Sequence, residues 1–246
     1  MIRLSDKIIL LLVYLFICYP QALTAANFAL SFFVMPLFYQ HNINDSTKLA
    51  IWHITEQEDF FLKKVPLKRD VSHAQKRLQH LAGRYLLTEL FPDFPLEEIR
   101  IADTRKPYLA DELYHFSISH FGQYAAAIVS GTMRVGVDVE MASPTIEKIR
   151  NKFLSENESA IAFEGIEKSG HRLRQLTILW SAKESIFKWY SLGQVNFREH
   201  IRWTAPYFIR SGDFGEMCFE FRKDGSVMLP VYYKVFDDLV LTFVYT

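Results

Sequence analysis

The sequence predicts an α+β fold, in which short, mostly antiparallel strands pack against a few helices. Three observations point there. Residues 135–140 alternate with period two, so that Val135, Val137 and Val139 fall on one face and Gly136, Asp138 and Glu140 on the other. Residues 71–90 and 173–190 carry apolar stripes at helical spacing. Residues 201–245 break into strand-like runs separated by turn residues such as Lys223-Asp224-Gly225 and Asp237-Asp238.

The 246 residues are enough for one large domain or two small ones. Hydrophobic residues make up 50% and charged residues 23%, a globular composition rather than a disordered one. Lys+Arg and Asp+Glu both number 28, so nothing in the overall charge argues for nucleic acid. An electrostatic partner must therefore meet a local patch. Two cysteines, Cys18 and Cys218, are too few for a disulfide framework or a cysteine-built zinc site.

Residues 1–34 do not match the rest. Between Lys7 and Asp45 no side chain carries a full charge. The stretch allows a secretory signal, with Arg3 and Lys7 ahead of the apolar run and small residues at Ala22-Leu23-Thr24-Ala25-Ala26. It also allows a membrane anchor through residues 8–38, which Pro20 and Asn27 weaken. The third reading places the true start at Met35.

From there the elements follow in order. Leu49–Ile54 reads as a first strand with Trp52 as a core anchor, and Glu56–Leu62 as the start of a helix. Val71–Leu90 is a helix, its stripe formed by Leu78, Leu81, Tyr85, Leu86 and Leu90 and its end set by Pro92 and Pro95. Arg105-Lys106-Pro107-Tyr108 is a loop. Tyr114–Ser119 alternates as a half-buried strand, Gly122 marks a turn, and Tyr124–Ser130 is a buried strand. Gly131-Thr132 reads as a hairpin turn into the strand Met133–Glu140. Ile146–Phe153 is a short helix, and Ser155-Glu156-Asn157-Glu158 looks like the cap of another. A longer helix spans Leu173–Tyr190, with Leu179, Ile186 and Tyr190 toward a core and Glu184 and Lys188 on another face. Ile201–Trp203, Glu216–Arg222, Val227–Phe236 and Leu239–Tyr245 are the closing strands.

Two of these stretches carry chemistry. Asp138 and Glu140 side by side on a strand repel and need compensation, for which a hard cation such as Mg²⁺ is the obvious candidate. Trp180-Ser181-Ala182-Lys183-Glu184-Ser185-Ile186-Phe187-Lys188 places an acid and a base one helical turn apart, a spacing that an ordinary ion pair would equally satisfy. Read with Arg105-Lys106-Pro107-Tyr108 and Phe116-Ser117-Ile118-Ser119-His120 upstream, the set resembles the 4′-phosphopantetheinyl transferases, with four motifs in order across most of residues 49–200.

That resemblance implies two similar α/β lobes about a pseudo-twofold axis, here 35–134 and 135–246, after an extension 1–34. It implies transfer of the 4′-phosphopantetheine arm of coenzyme A to a serine of an apo acyl or peptidyl carrier protein, with release of adenosine 3′,5′-bisphosphate. By similarity Asp138, Glu140 and Glu184 bind Mg²⁺, Glu184 is the general base, and Lys188 stabilises or protonates the leaving phosphate. Lys106, Ser119, His120 and Arg84, with His80 beside it, are matched to the coenzyme A phosphates. A monomer is implied, and a cytoplasmic location that favours the start at Met35. Phe121 and Ser191 depart from the family's small polar residue and glycine. Arg150, Lys152, Lys168, His171, Arg172 and Arg174 are candidates for a face toward an acidic carrier. Two other classes remain open: a binding module without catalysis, and a Mg²⁺-dependent nucleotide hydrolase that needs no acceptor.

Overall fold

A computed structural model describes residues 36–67, 71–163, 169–208 and 213–246. The extension 1–34, Met35 and Lys168 therefore lie outside the described residues. Leu37–Thr246 form one compact unit. Strands β1 (Leu37–Asn44) and β2 (Thr47–His53) lead to helices α1 (Glu58–Leu62) and α2 (Ala74–Leu90). A small hairpin, β3 (Arg100–Ile101) and β4 (Pro107–Tyr108), precedes β5 (His115–Phe121), β6 (Tyr124–Ser130) and β7 (Val135–Met141). Helices α3 (Thr145–Phe153), α4 (Glu156–Phe163) and α5 (Ser169–Tyr190) follow, then β8 (Ile201–Phe208), β9 (Phe214–Phe221), β10 (Val227–Phe236) and β11 (Leu239–Tyr245).

The fold is α+β, with two main antiparallel sheets ordered β1-β2-β6-β5 and β7-β11-β10-β9-β8. Alternation decides what each face covers. On β2 and β6, Ala50, Trp52, Ala125, Ala127 and Val129 pack under the α2 stripe of Leu81, Tyr85, Leu86 and Leu90. Their neighbours Leu49, Ile51, Ala126 and Ile128 turn the other way and meet Val135, Val137 and Val139 of β7 with Leu241 and Phe243 of β11. The valine face thus lies between the two sheets. The opposite face of the second sheet packs under α5 through Leu179, Ala182, Ile186, Val231, Val240 and Val244.

The hairpin expected at Gly131-Thr132 is corrected by the strand pairing. β6 pairs with β2 and β5, whereas β7 pairs with β11 in the other sheet. The turn is real, since Ser130 Oγ accepts from the Thr132 and Met133 N–H groups at 3.2 and 3.0 Å. It carries the chain from one sheet to the other, and Arg134 exchanges two backbone hydrogen bonds with Thr246.

β7 is consequently an edge strand, and an open edge needs covering. Side chains of β5 supply the cover. Val137 N–H donates to Ser117 Oγ at 3.2 Å and Val139 N–H to Ser119 Oγ at 3.3 Å. The two sheets are therefore joined at this seam by serine hydroxyls rather than by a backbone ladder.

Helix α5 presses onto β7 at Gly136. A Cβ there would stand 2.0 Å from the Ser185 carbonyl oxygen and 2.8 Å from the Trp189 nitrogen, so only glycine allows this approach. The cap read at Ser155 is a reciprocal capping box: Glu158 N–H donates to Ser155 Oγ at 3.2 Å and Ser155 N–H to Glu158 Oε2 at 2.8 Å. No helix among the described residues is long and apolar enough to cross a membrane.

Candidate functional site

The Gly136 contact sets the site, because it brings the polar face of α5 against the polar face of β7. Asp138 is 3% exposed. Its Oδ1 accepts from Lys188 Nζ at 2.6 Å and from the Ser119 hydroxyl at 2.9 Å. Lys188 also donates to Ser119 Oγ at 2.8 Å. The base one turn after Glu184 therefore pairs with a strand acid 50 residues away, and not in an ordinary helix ion pair with Glu184. Ser119 uses its one donor on Asp138 and accepts from Val139 N–H and Lys188.

Asp138 Oδ2 is buried with no hydrogen-bond partner among the described residues. A buried carboxylate oxygen without a donor is costly and points to a missing ligand. Glu140 and Glu184 stand near enough to feel that charge. Burial, then the Asp138 charge, pushes the Glu184 carboxyl up to about 7, with Lys188 pulling it down. Burial, then Asp138, also pushes Glu140 up to about 7, against a hydrogen bond from Trp180 Nε1–H at 3.2 Å. Three mutually repelling carboxyl groups, one with an orphaned oxygen, have the chemistry that a hard divalent cation takes. Among the described residues no three His, Cys, Asp or Glu side chains lie together as a group that could hold a metal ion, and Lys188 holds one of the Asp138 oxygens.

Of the other expected residues, His120 and Lys106 lie by this core, and no contact joins Arg84 to it among the described residues. His120 follows Ser119 on β5, open to solvent as a residue but with its ring partly enclosed. Burial, then the Lys188 charge, holds its imidazole below the usual range while Asp138 opposes them. Lys106 comes from the β3–β4 hairpin and donates to the Lys188 backbone carbonyl at 2.6 Å and to Ser191 Oγ. Burial, then Arg134 and Lys188, brings its ammonium down to about 8. A cavity of about 220 Å³ lies beside it, lined by Arg105, Lys106, Ser117, Phe187, Lys188 and Ser191 among others. Arg84 sits on α2, its guanidinium 3.0 Å from His80 Nδ1.

Lys183, the neighbour of Glu184, points away from the site. Its ammonium is fully buried and has five oxygens within 3.1 Å: both of Glu158 and the carbonyls of Phe153, Phe197 and Ile201. Burial lowers it to about 8 against the Glu158 charge, so it stays an ammonium at neutral pH and ties α3, α4 and the entry to β8 onto α5. Trp180 opened the helix motif with no role assigned to its indole. Two other participants escaped the sequence reading: Ser117 passed as the polar side of a strand, and Ser191 as a departure without a role. Only the last left a sequence signal, a serine in the Leu192-Gly193 turn at the helix end.

No curated protein matches the chain. Residues 134–243, the stretch that holds Asp138, Glu140, Glu184 and Lys188, match the family model of the 4′-phosphopantetheinyl transferase superfamily.

Proposed function

We propose that the protein transfers 4′-phosphopantetheine from coenzyme A to a serine hydroxyl of an apo acyl or peptidyl carrier protein. One observation carries the reading furthest. Within the matched stretch Lys188 pairs with Asp138, whose Oδ2 is buried without a partner among the described residues, and Ser119 of unmatched β5 donates to the same carboxylate. Lys106, also outside the match, reaches the same helix end. The upstream half thus contributes to the site through hydrogen bonds, independently of the family comparison.

In this reading the acceptor serine oxygen attacks the pyrophosphate phosphorus that bears the pantetheine arm. A new phosphodiester forms and adenosine 3′,5′-bisphosphate leaves. Asp138, Glu140 and Glu184 would hold Mg²⁺, which supplies charge neutralisation for the pyrophosphate when bound. Glu184 takes the serine proton, directly or through a water. Lys188 has three donors, two of which are spent on Asp138 and Ser119; the third is available to the departing phosphate. His120 and Lys106 add positive or polar contacts to the nucleotide end.

The carrier face is narrower than the sequence suggested. Arg150 and Arg172 both bind Glu147, at 2.9 Å each, and Arg172 lies 4.0 Å over the Phe163 ring. Part of that positive charge is neutralised at home.

Incubating the protein with coenzyme A, Mg²⁺ and an apo carrier, then weighing the carrier by mass spectrometry, tests the reaction. A pantetheinylated carrier is expected. Carrier binding without a mass change would make the protein a binding module, and nucleotide breakdown without acceptor would make it a hydrolase. Lys188→Ala should lower turnover by about a hundredfold or more, as loss of a charged transition-state donor does, with a smaller change in KM. Normal turnover in that variant refutes the leaving-group role.

A further inference from the structure

We infer that Ser191 is a positioning residue, whose hydroxyl fixes the Lys106 ammonium at the C-terminal end of α5 and aims its remaining N–H into the adjoining 220 Å³ cavity as a seat for an anion. Ser191 is not a residue that this backbone position favours. Its φ is +75°, the left-handed region where glycine is at ease and other residues are strained. A serine there gains something from its side chain.

The contacts show what it gains. Ser191 Oγ lies 3.1 and 3.0 Å from the carbonyls of Lys188 and Trp189 and accepts from Lys106. Lys106 donates a second N–H to the Lys188 carbonyl at 2.6 Å. Thr104 Oγ1–H donates to the Ser191 carbonyl at 3.1 Å. The β3–β4 turn is thus clamped to the end of the helix that carries Glu184 and Lys188. Both acceptors of Lys106 are neutral, so the clamp directs the ammonium without cancelling its charge.

The surroundings increase its need for an anion. Lys188 and Arg134 both press on Lys106 with like charge. Arg105 precedes it on the turn. Lys106 also lines a second cavity, of about 300 Å³, together with Arg134, Glu112, His115 and Tyr190. Lys106 is therefore a desolvated, oriented cation between two cavities, held by a serine. The anion is named as a coenzyme A phosphate only on the transferase reading; the clamp itself rests on the geometry.

Ser191→Gly relaxes the backbone and removes the acceptor, and Ser191→Asn restores a side-chain oxygen on a residue that tolerates positive φ. Two measurements on the full chain read the result. Amine-labelling of Lys106 against pH, resolved by peptide mass spectrometry, is expected to rise several-fold in Ser191→Gly, with its midpoint at lower pH because a hydrogen bond to the charged form is gone. KM for coenzyme A is expected to rise roughly five- to tenfold, the scale of one hydrogen bond to a charged group, with kcat within about twofold. Ser191→Asn is expected to recover both. Unchanged Lys106 labelling in Ser191→Gly overturns the inference, as does a KM equal to that of the parent protein. Failure of the transferase reading looks different: no product with any variant, the parent included, while the labelling shift persists and still supports the clamp.

Discussion

The two halves of the molecule each lay a long helix on an antiparallel sheet, and each needs a glycine to do so, but on opposite partners. On α2 the glycine is in the helix: a Cβ on Gly83 would meet Ile118 Cγ2 at 2.6 Å. On α5 it is in the strand: a Cβ on Gly136 would meet the backbone of Ser185 and Trp189. A helix glycine admits a side chain from the sheet, and the result is packing. A strand glycine admits the helix backbone itself. That brings Lys188 down onto Asp138, so the proposed chemistry collects in the half where the close approach is made by the strand.

The most damaging way to break that contrast is Gly136→Ala. Its methyl meets carbonyl and amide atoms that cannot rotate away, so α5 must lift. We expect a loss of about 3 kcal/mol or more of stability, the upper end for overpacking, and loss of transfer even at temperatures where the variant is folded. Thermal unfolding with activity assayed well below the transition checks both. A variant that is stable and active would show that α5 is not held by this contact.

A milder probe uses the carboxyl groups that the contact brings together. Glu140 and Glu184 are both raised from 4.5 to about 7 in the absence of a cation. In the folded protein they hold protons that the unfolded chain has released, so between 4.5 and about 7 the unfolded state binds fewer protons and stability falls as pH rises. The metal-free protein should therefore unfold at lower temperature near pH ~7.5 than near pH ~5. Mg²⁺ should restore the midpoint at the higher pH and do little at the lower, where the ligands are protonated. Glu184→Gln should flatten the metal-free slope. A midpoint that rises with pH, or that Mg²⁺ leaves unmoved at both values, contradicts the proposed metal set.

How much of this could be read in the sequence depends on whether the signal was local. The strands Tyr124–Ser130, Val227–Phe236 and Leu239–Tyr245 have the ends that their alternation and flanking turn residues announce. β1 was missed: Leu-Phe-Tyr-Gln-His-Asn-Ile-Asn is a half-exposed edge strand whose apolar start merges with the uncharged run before it. The turn after β6 was seen, but turn chemistry does not say which sheet the next strand joins. The acids Asp138, Glu140 and Glu184 stood out as charges against an apolar period. Their assembly did not, because it depends on how closely α5 and β7 approach. Ser117 looked like any polar strand residue and Ser119 stood out only through the resemblance; the open edge of β7 engages both hydroxyls, and that of Ser119 also meets Asp138 and Lys188.

The gentlest test returns to the other glycine. Gly83→Ala adds a methyl to the interior of α2, where alanine is favoured by roughly 1 kcal/mol over glycine. Against that stands the 2.6 Å contact with Ile118 Cγ2, a half-buried side chain stiff at χ1 but with solvent to one side. Overpacking of that kind costs about 1–3 kcal/mol, so the net expected loss is about 1 kcal/mol. Turnover should fall by less than about twofold, because Ile118 packs toward α2 and only borders the 220 Å³ cavity, while its neighbours Ser117 and Ser119 bond β7. Denaturant unfolding measured alongside kcat decides it. If Gly83→Ala destabilises as much as Gly136→Ala, or abolishes turnover, then the two helix–sheet contacts are equivalent, and strand glycine against helix backbone is not what sets the half with the proposed site apart.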